Sequence, residues 1–203
     1  MIYELALVAH ASATEEQQTK LKNLVAEVAK SYDGDVHLTD DWGMRTFAQT
    51  AKNGAKQGNY IYFIVSGNKD LNTELQRRFR INEHVHKYLI VKLDEADAET
   101  AVKNYKTPFS KAHPGSQTDE LDKGAEKDKR RFAKRKHCWF KANSITADWK
   151  DPKTYNWLVN EFGKIQPARV TGVSTKHHRW AQSAIKRARN IGLVSHVRGD
   201  FAH

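Results

Sequence analysis

The sequence predicts an α+β chain in three parts: a β-α-β-β-α-β domain over residues 1–95, a charged linker over 96–129, and a small basic all-α domain over 130–203. Three observations predict it. Strand-like alternation and helix-like spacing take turns in that order through the first half. Apolar periodicity then fails from Asp94 to Asp128, where Pro108, Pro114, Gly115 and Gly124 stand among charges. Charge is also split along the chain. Residues 127–203 carry 18 Lys and Arg against 5 Asp and Glu, whereas residues 1–126 carry 16 against 19.

Ile2–Ala9 is rich in Leu, Val and Tyr and reads as the first strand. Thr14-x-x-Gln17 fits a capping box, and Leu21, Leu24, Val25, Val28 and Tyr32 follow at helical spacing, so a helix is expected over 15–32. Gly34 is expected to end it. Val36–Trp42 is a second strand that resumes through Arg45–Gln49. Tyr60–Val65, aromatic and β-branched on both faces, is a central strand. Leu71, Leu75 and Phe79 stack on a short helix over 72–79. Val85–Leu93 is the last strand, with Val85, Leu89, Val91 and Leu93 expected on the core face. That order is the ferredoxin-like arrangement, with both helices on one sheet face and the other face left free for a partner.

In the basic part, Asp151-Pro152 predicts a helix start, with Tyr155, Leu158, Val159 and Phe162 on one face and Gly163 at its end. Residues 164–172 read as a loop around Pro167. A second helix is expected over about 174–191. At roughly 100° per residue, Trp180, Ala184, Ala188 and Ile191 fall on one side; Lys176, Arg179, Ser183, Lys186, Arg187 and Asn190 fall on the other. The linker, read as a coil, spans roughly 30 Å.

Composition narrows the function. A net charge of +10, gathered in the second half, predicts a polyanionic partner for that half alone. Cys138 is the single cysteine and forms no internal disulfide. No apolar run approaches the roughly 18 residues of a membrane span. Met1–Ala9 lacks the basic start of a secretory signal, which predicts a cytoplasmic protein, with a matured mitochondrial or plastid one as the alternative. The pairs His84/His86, His137/Cys138 and His177/His178 match no ligand spacing, so neither metal nor cofactor is expected. No paired carboxylates, nucleophile motif or phosphate-cradling glycine loop supports an enzyme. A free-standing RNA-binding regulator stays open on composition alone.

Two sets of residues carry a family resemblance. Tyr3-Glu4, Asp41-Trp42-Gly43-x-Arg45, Gly58-x-Tyr60 and Arg80-Ile81-Asn82 give residues 1–95 a pattern that resembles bacterial small ribosomal subunit protein six. Residues 130–197 resemble small ribosomal subunit protein eighteen. They do so through Lys136-x-Cys138-x-Phe140, Gly163-Lys164-Ile165-x-Pro167-x-Arg169-Val170-Thr171-Gly172, Lys176-His177-x-Arg179 and Ala184-Ile185-Lys186-Arg187-Ala188-Arg189. The chain departs from that pattern at Ala168, where Arg is common, at His178, where Gln is usual, and at Trp180-Ala181, where Arg-Leu is usual. The resemblance implies a fusion of two families that assemble together onto the central-domain (platform) rRNA of the small subunit. It implies pairing of the two halves, and neighbouring platform proteins as further partners.

The RNA-binding candidates are the arm Lys134, Arg135 and Lys136; the turn Arg169, Thr171 and Gly172; and Lys176, Arg179, Lys186 and Arg187 on the second helix. The resemblance adds His177 and Arg189. Arginine suits phosphate because its planar fork donates two parallel hydrogen bonds. Gly172 permits a tight turn and close approach of backbone to phosphate. Thr171 or Ser174 caps the following helix. Trp139 and Phe140 either stack on bases or pack a core. Trp42 and Arg45 are candidates for partner or rRNA contact, with core packing as the other role for Trp42.

Overall fold

The computed structural model describes residues 1–51, 54–94, 97–105 and 138–197. The chain divides into two compact units. Of the predicted linker only 97–105 is described, and Lys134, Arg135 and Lys136 lie outside the described residues.

In the first unit, β1 (Ile2–His10), β2 (Val36–Thr46), β3 (Gln57–Ser66) and β4 (Val85–Lys92) form one antiparallel sheet in the order β2-β3-β1-β4. Helices α1 (Glu15–Ser31) and α2 (Asp70–Ile81) complete the ferredoxin-like order. The capping box forms: Gln17 N donates to Thr14 Oγ1 at 3.4 Å, and Thr14 N donates to Gln17 Oε1 at 2.9 Å. Leu21, Val25 and Val28 of α1 and Leu71, Leu75 and Phe79 of α2 pack on Tyr3, Leu5, Leu7, Ile61, Phe63 and Val65. Each such side chain stabilises the fold by about 1.5–3 kcal/mol relative to exposure.

Two expectations change here. Helix α1 ends at Ser31, and the left-handed residue after it is Asp33 (φ 53°), not Gly34. Gly34 is needed for space instead, since a Cβ there would stand 1.9 Å from the Ser66 carbonyl oxygen. On β4, Val85, Tyr88 and Ile90 face the helices, whereas Leu89 and Val91 stand opposite Ala6 and Glu4 on the other face. The cause is a bulge: Ala9 pairs with Val85 but Val8 pairs with Lys87, so His86 is the extra residue and the alternation flips there.

The second sheet face is not bare. Glu4, Ala6, Val8, Tyr60, Tyr62 and Ile64 are all buried. Helix α3 (Ala98–Asn104), in the stretch expected to be linker, leads to Tyr105, which stacks on Tyr62 with centroids 4.8 Å apart. Trp42 stacks on Tyr62 at 5.4 Å and donates from Nε1 to the Tyr105 hydroxyl at 3.0 Å and to Asp40 Oδ2 at 3.2 Å. Tyr105 donates to the same carboxylate, and Tyr62 donates to Glu4 Oε1 at 2.7 Å. Burial, then the Asp40 carboxylate, raises the Tyr105 phenol pKa well above its ordinary value.

The second unit is less helical than expected. Helix α4 (Trp139–Ala142) is followed by two 3₁₀ turns, Pro152–Thr154 and Asn156–Leu158, where one α-helix was predicted. Asn160 explains the break. Its side chain accepts from Lys164 N at 2.7 Å while its backbone N–H donates to the Lys164 carbonyl at 2.9 Å. That local turn competes with helix. Val159 then bridges Ile165 antiparallel, Gly163 takes φ 76°, and Phe162 is left 75% exposed. A short helix α5 (Ala168–Thr171) ends on Gly172, which is left-handed at φ 73°, and α6 (Thr175–Ile191) is the longest element of the unit. Phe140, Trp149, Tyr155, Leu158, Ala181, Ala184, Ile185 and Ala188 are buried.

Candidate nucleic-acid interface

Helix α6 buries Ala181, Ala184, Ile185 and Ala188 at i, i+3, i+4 and i+7, a narrow stripe of mostly small side chains. Lys176, Arg179, Ser183, Lys186, Arg187 and Asn190 are exposed on the opposite arc. Trp180 therefore falls outside the buried stripe, contrary to the sequence expectation. It is 40% exposed and carries Lys176 Nζ 4.8 Å from its ring centroid. The small residues on the buried stripe let the helix approach its support closely, and an indole has no room there.

No Asp or Glu occurs between Gly163 and Val197. None of Arg169, Lys176, Arg179, Lys186 or Arg187 forms an ion pair with a described carboxylate. Among the described residues, no carboxylate neutralises their charge. Arg169 is exposed on α5, and the left-handed Gly172 closes that turn by donating its N–H to the Ala168 carbonyl at 2.8 Å. Thr171 does not cap α6: its hydroxyl lies 3.4 Å from the Pro167 carbonyl and 3.4 Å from Val173 N. Ser174 stands before the helix, and its hydroxyl meets His177 Nδ1 at 2.7 Å.

Two candidates turn inward. Arg189 donates from Nε to the Ser195 carbonyl at 3.1 Å and from Nη2 to the Gly163 carbonyl, tying the helix end to two turns. Burial lowers its guanidinium pKa. The sequence signal was there, because Arg189 follows the buried Ile185 by four and shares its row. His177 stacks on the buried Phe140 at 5.9 Å with rings 8° apart, and meets Trp180 edge-on at 5.3 Å.

Around His177 lies a cluster that the sequence did not predict. Phe140 also stacks on Trp157 at 6.2 Å, and Trp139 meets both rings edge-on. Phe140 thus has the core role, not base stacking. Cys138 Sγ lies 3.6 Å from His177 Nδ1 and 3.7 Å from Ser174 Oγ. Burial raises the thiol pKa, but N–H donors of Ser174, Lys141 and Phe140 and the Ser174 hydroxyl outweigh it and lower it overall. Among the described residues no three His, Cys, Asp or Glu side chains gather as a metal site. None of their helices is long and apolar enough to cross a membrane. In the first unit, Trp42 is held in the aromatic stack, and Arg45 lies half-buried on β2 opposite Gly58.

An acid-free helix with one cationic arc, set behind a left-handed glycine turn, defines a basic module shaped for a polyanion. Comparison with known proteins gives that class its family. A model described as "Ribosomal protein S6" matches residues 2–92, and one described as "Ribosomal protein S18" matches residues 143–194. The small ribosomal subunit protein bS18 of Citrifermentans bemidjiense is 51% identical over 67 residues, which is 32% of this chain and 73% of that protein. The bS18 of Geotalea daltonii is 49% identical over 67 residues, 32% of this chain and 74% of its own length. That of Treponema pallidum is 38% identical over 78 residues, 38% of this chain and 79% of its own length. Among solved structures, 30S ribosomal protein S6 of Thermotoga maritima gives a TM-score of 0.43 at 19% identity, covering 50% of this chain and 94% of that one. The chain belongs to the bS18 family of small ribosomal subunit proteins and, with the S6 match ahead of it, is an S6–S18 fusion. Its role is structural within the small subunit, not enzymatic.

Proposed function

We propose that the two halves pair with each other and bind central-domain (platform) small-subunit rRNA, beside other platform proteins of a bacterial cytoplasmic ribosome. The observation that carries the RNA reading is the acid-free cationic arc of α6. Phosphate neutralisation releases condensed counterions, so cations with no carboxylate beside them among the described residues are the ones that gain from RNA. Lys176, Arg179, Lys186 and Arg187 contact phosphate along α6, with Arg169 contacting it from α5. Thr171 and Gly172 shape the turn between them, and Lys134, Arg135 and Lys136 extend the contact. His177 and Arg189 act indirectly, by fixing the two ends of the helix. Trp42 and Arg45 rank below these as partner contacts. The presence of both family matches in one chain supports the pairing.

The test is the salt dependence of binding to a central-domain rRNA transcript. Arg169→Ala with Arg187→Ala should make the slope of log affinity against log salt shallower by about 1.4–1.8, since each phosphate contact contributes roughly 0.7–0.9. An unchanged slope, with the fold intact, contradicts those two contacts.

A further inference from the structure

Trp180 occupies a position that phosphate binding alone does not explain. An indole 40% exposed stands on the same arc as Lys176, Ser183 and Arg187, one position away from a stripe of alanines that the helix does bury. Exposed aromatic surface amid cations gains nothing from water. The ring is also braced. His177 meets it at 5.3 Å and 88°, and His177 itself is held by the buried Phe140 at 5.9 Å and by Ser174 Oγ at 2.7 Å. The Lys176 ammonium sits over the ring at 4.8 Å.

We propose that Trp180 is a stacking platform for an unpaired nucleobase of RNA, with Lys176 moving from the ring to the phosphate of that same nucleotide. This rests on the rRNA-binding reading and adds a base contact to what is otherwise a phosphate-binding face. Every base presents a π-face, so the site selects an unstacked base without selecting its identity. The brace from His177 and Phe140 fixes the indole before binding, which reduces the entropy lost on contact. Charge complementarity favours RNA over a protein occupant. An apolar protein surface on Trp180 would bury the Lys176 charge beside it unpaired, and crowd Arg179 and Arg187, whereas a nucleotide brings a phosphate with its base.

The test uses the full chain, a central-domain rRNA transcript, and a fully paired RNA duplex of similar length. Trp180→Leu should weaken transcript binding about tenfold, leave duplex binding within twofold, and leave the salt slope unchanged, because stacking releases no counterion. Trp180→Phe should recover most of the affinity. Fluorescence of the wild type should be quenched by the transcript more than that of Trp180→Phe. The proposal is overturned if Trp180→Leu binds the transcript as the wild type does while the wild type shows a steep salt slope, which leaves the phosphate reading standing. It is also overturned if the Leu variant keeps its RNA affinity but enters small subunits poorly, since Trp180 then meets a protein. A wild type that does not bind the transcript removes the rRNA reading and this one with it.

Discussion

Lys186 and Arg189 stand three positions apart on α6 and carry the same charge, yet their surroundings separate them. Lys186 is exposed, whereas Arg189 reaches the carbonyls of Gly163 and Ser195. Arg189→Gln should therefore lower stability by about 1–2 kcal/mol in thermal or urea melts, since hydrogen bonds to charged groups are worth somewhat more than neutral ones. It should leave the salt slope of RNA binding nearly unchanged, while Lys186→Ala should do the reverse. Glu74 gives a pH prediction. Hydrogen bonds from Arg77 and then Arg78 lower its carboxyl pKa to about 2 from an ordinary 4.5. A depressed folded pKa stabilises the fold above the unfolded pKa and loses that contribution as pH falls from about 4.5 to about 2. Glu74→Gln should flatten that part of the acid limb of the stability profile. Arg77 is exposed although Glu74 is largely covered, so high salt should flatten it in part in the wild type too. Which cations bind phosphate and which hold the fold is a matter of reach. The sequence places charges on an arc but does not say which carbonyl stands within reach of Arg189.

At the scale of elements, regular periodicity and local turns divide what the sequence showed from what it concealed. The capping box of α1, the apolar rows of α1 and α2, and the helical span near 174–191 were all readable, because each rests on contacts within a few residues. The failures share a cause in local hydrogen bonding or in partners distant in sequence. The turn at Asn160 replaced a predicted helix, and one bulged residue, His86, reversed the faces of β4. Tyr105, at the end of helix α3, stacks on Tyr62 and is hydrogen-bonded to Trp42 and Asp40, more than forty positions earlier, and no periodicity announces such a partner. Gly34 offers a test at this scale. Its hydrogen atom faces the Ser66 carbonyl, so Gly34→Ala requires the β2 entry to move away from β3. The expected loss is about 2–4 kcal/mol, large for a surface turn, and chemical denaturation would measure it. A loss below about 0.5 kcal/mol would mean that the turn has slack that the tight Cβ approach does not suggest.

For the whole molecule, the division of charge is the organising fact: 19 of the 24 Asp and Glu lie in residues 1–126, and an acid-free stretch runs through α6. Both family matches and the ferredoxin-like order were legible from the sequence, and so was the face of α6 that carries the cations. Pairing of the halves predicts that a chain cut near Gly115 yields two fragments that still associate in a titration. Fragments that ignore each other would contradict the pairing while leaving RNA binding intact. The proposed RNA-facing surface is tested most directly by tethering a hydroxyl-radical source to the α6 arc. With Cys138→Ser to remove the native thiol, Ser183→Cys places the probe among Lys176, Arg179 and Arg187, and Glu16→Cys places it on the first unit as a control. In assembled small subunits the Ser183 probe should cut central-domain rRNA backbone, at positions distinct from any cut by the Glu16 probe. Absence of central-domain cleavage from Ser183, in subunits that contain the protein, would contradict the proposed docking face.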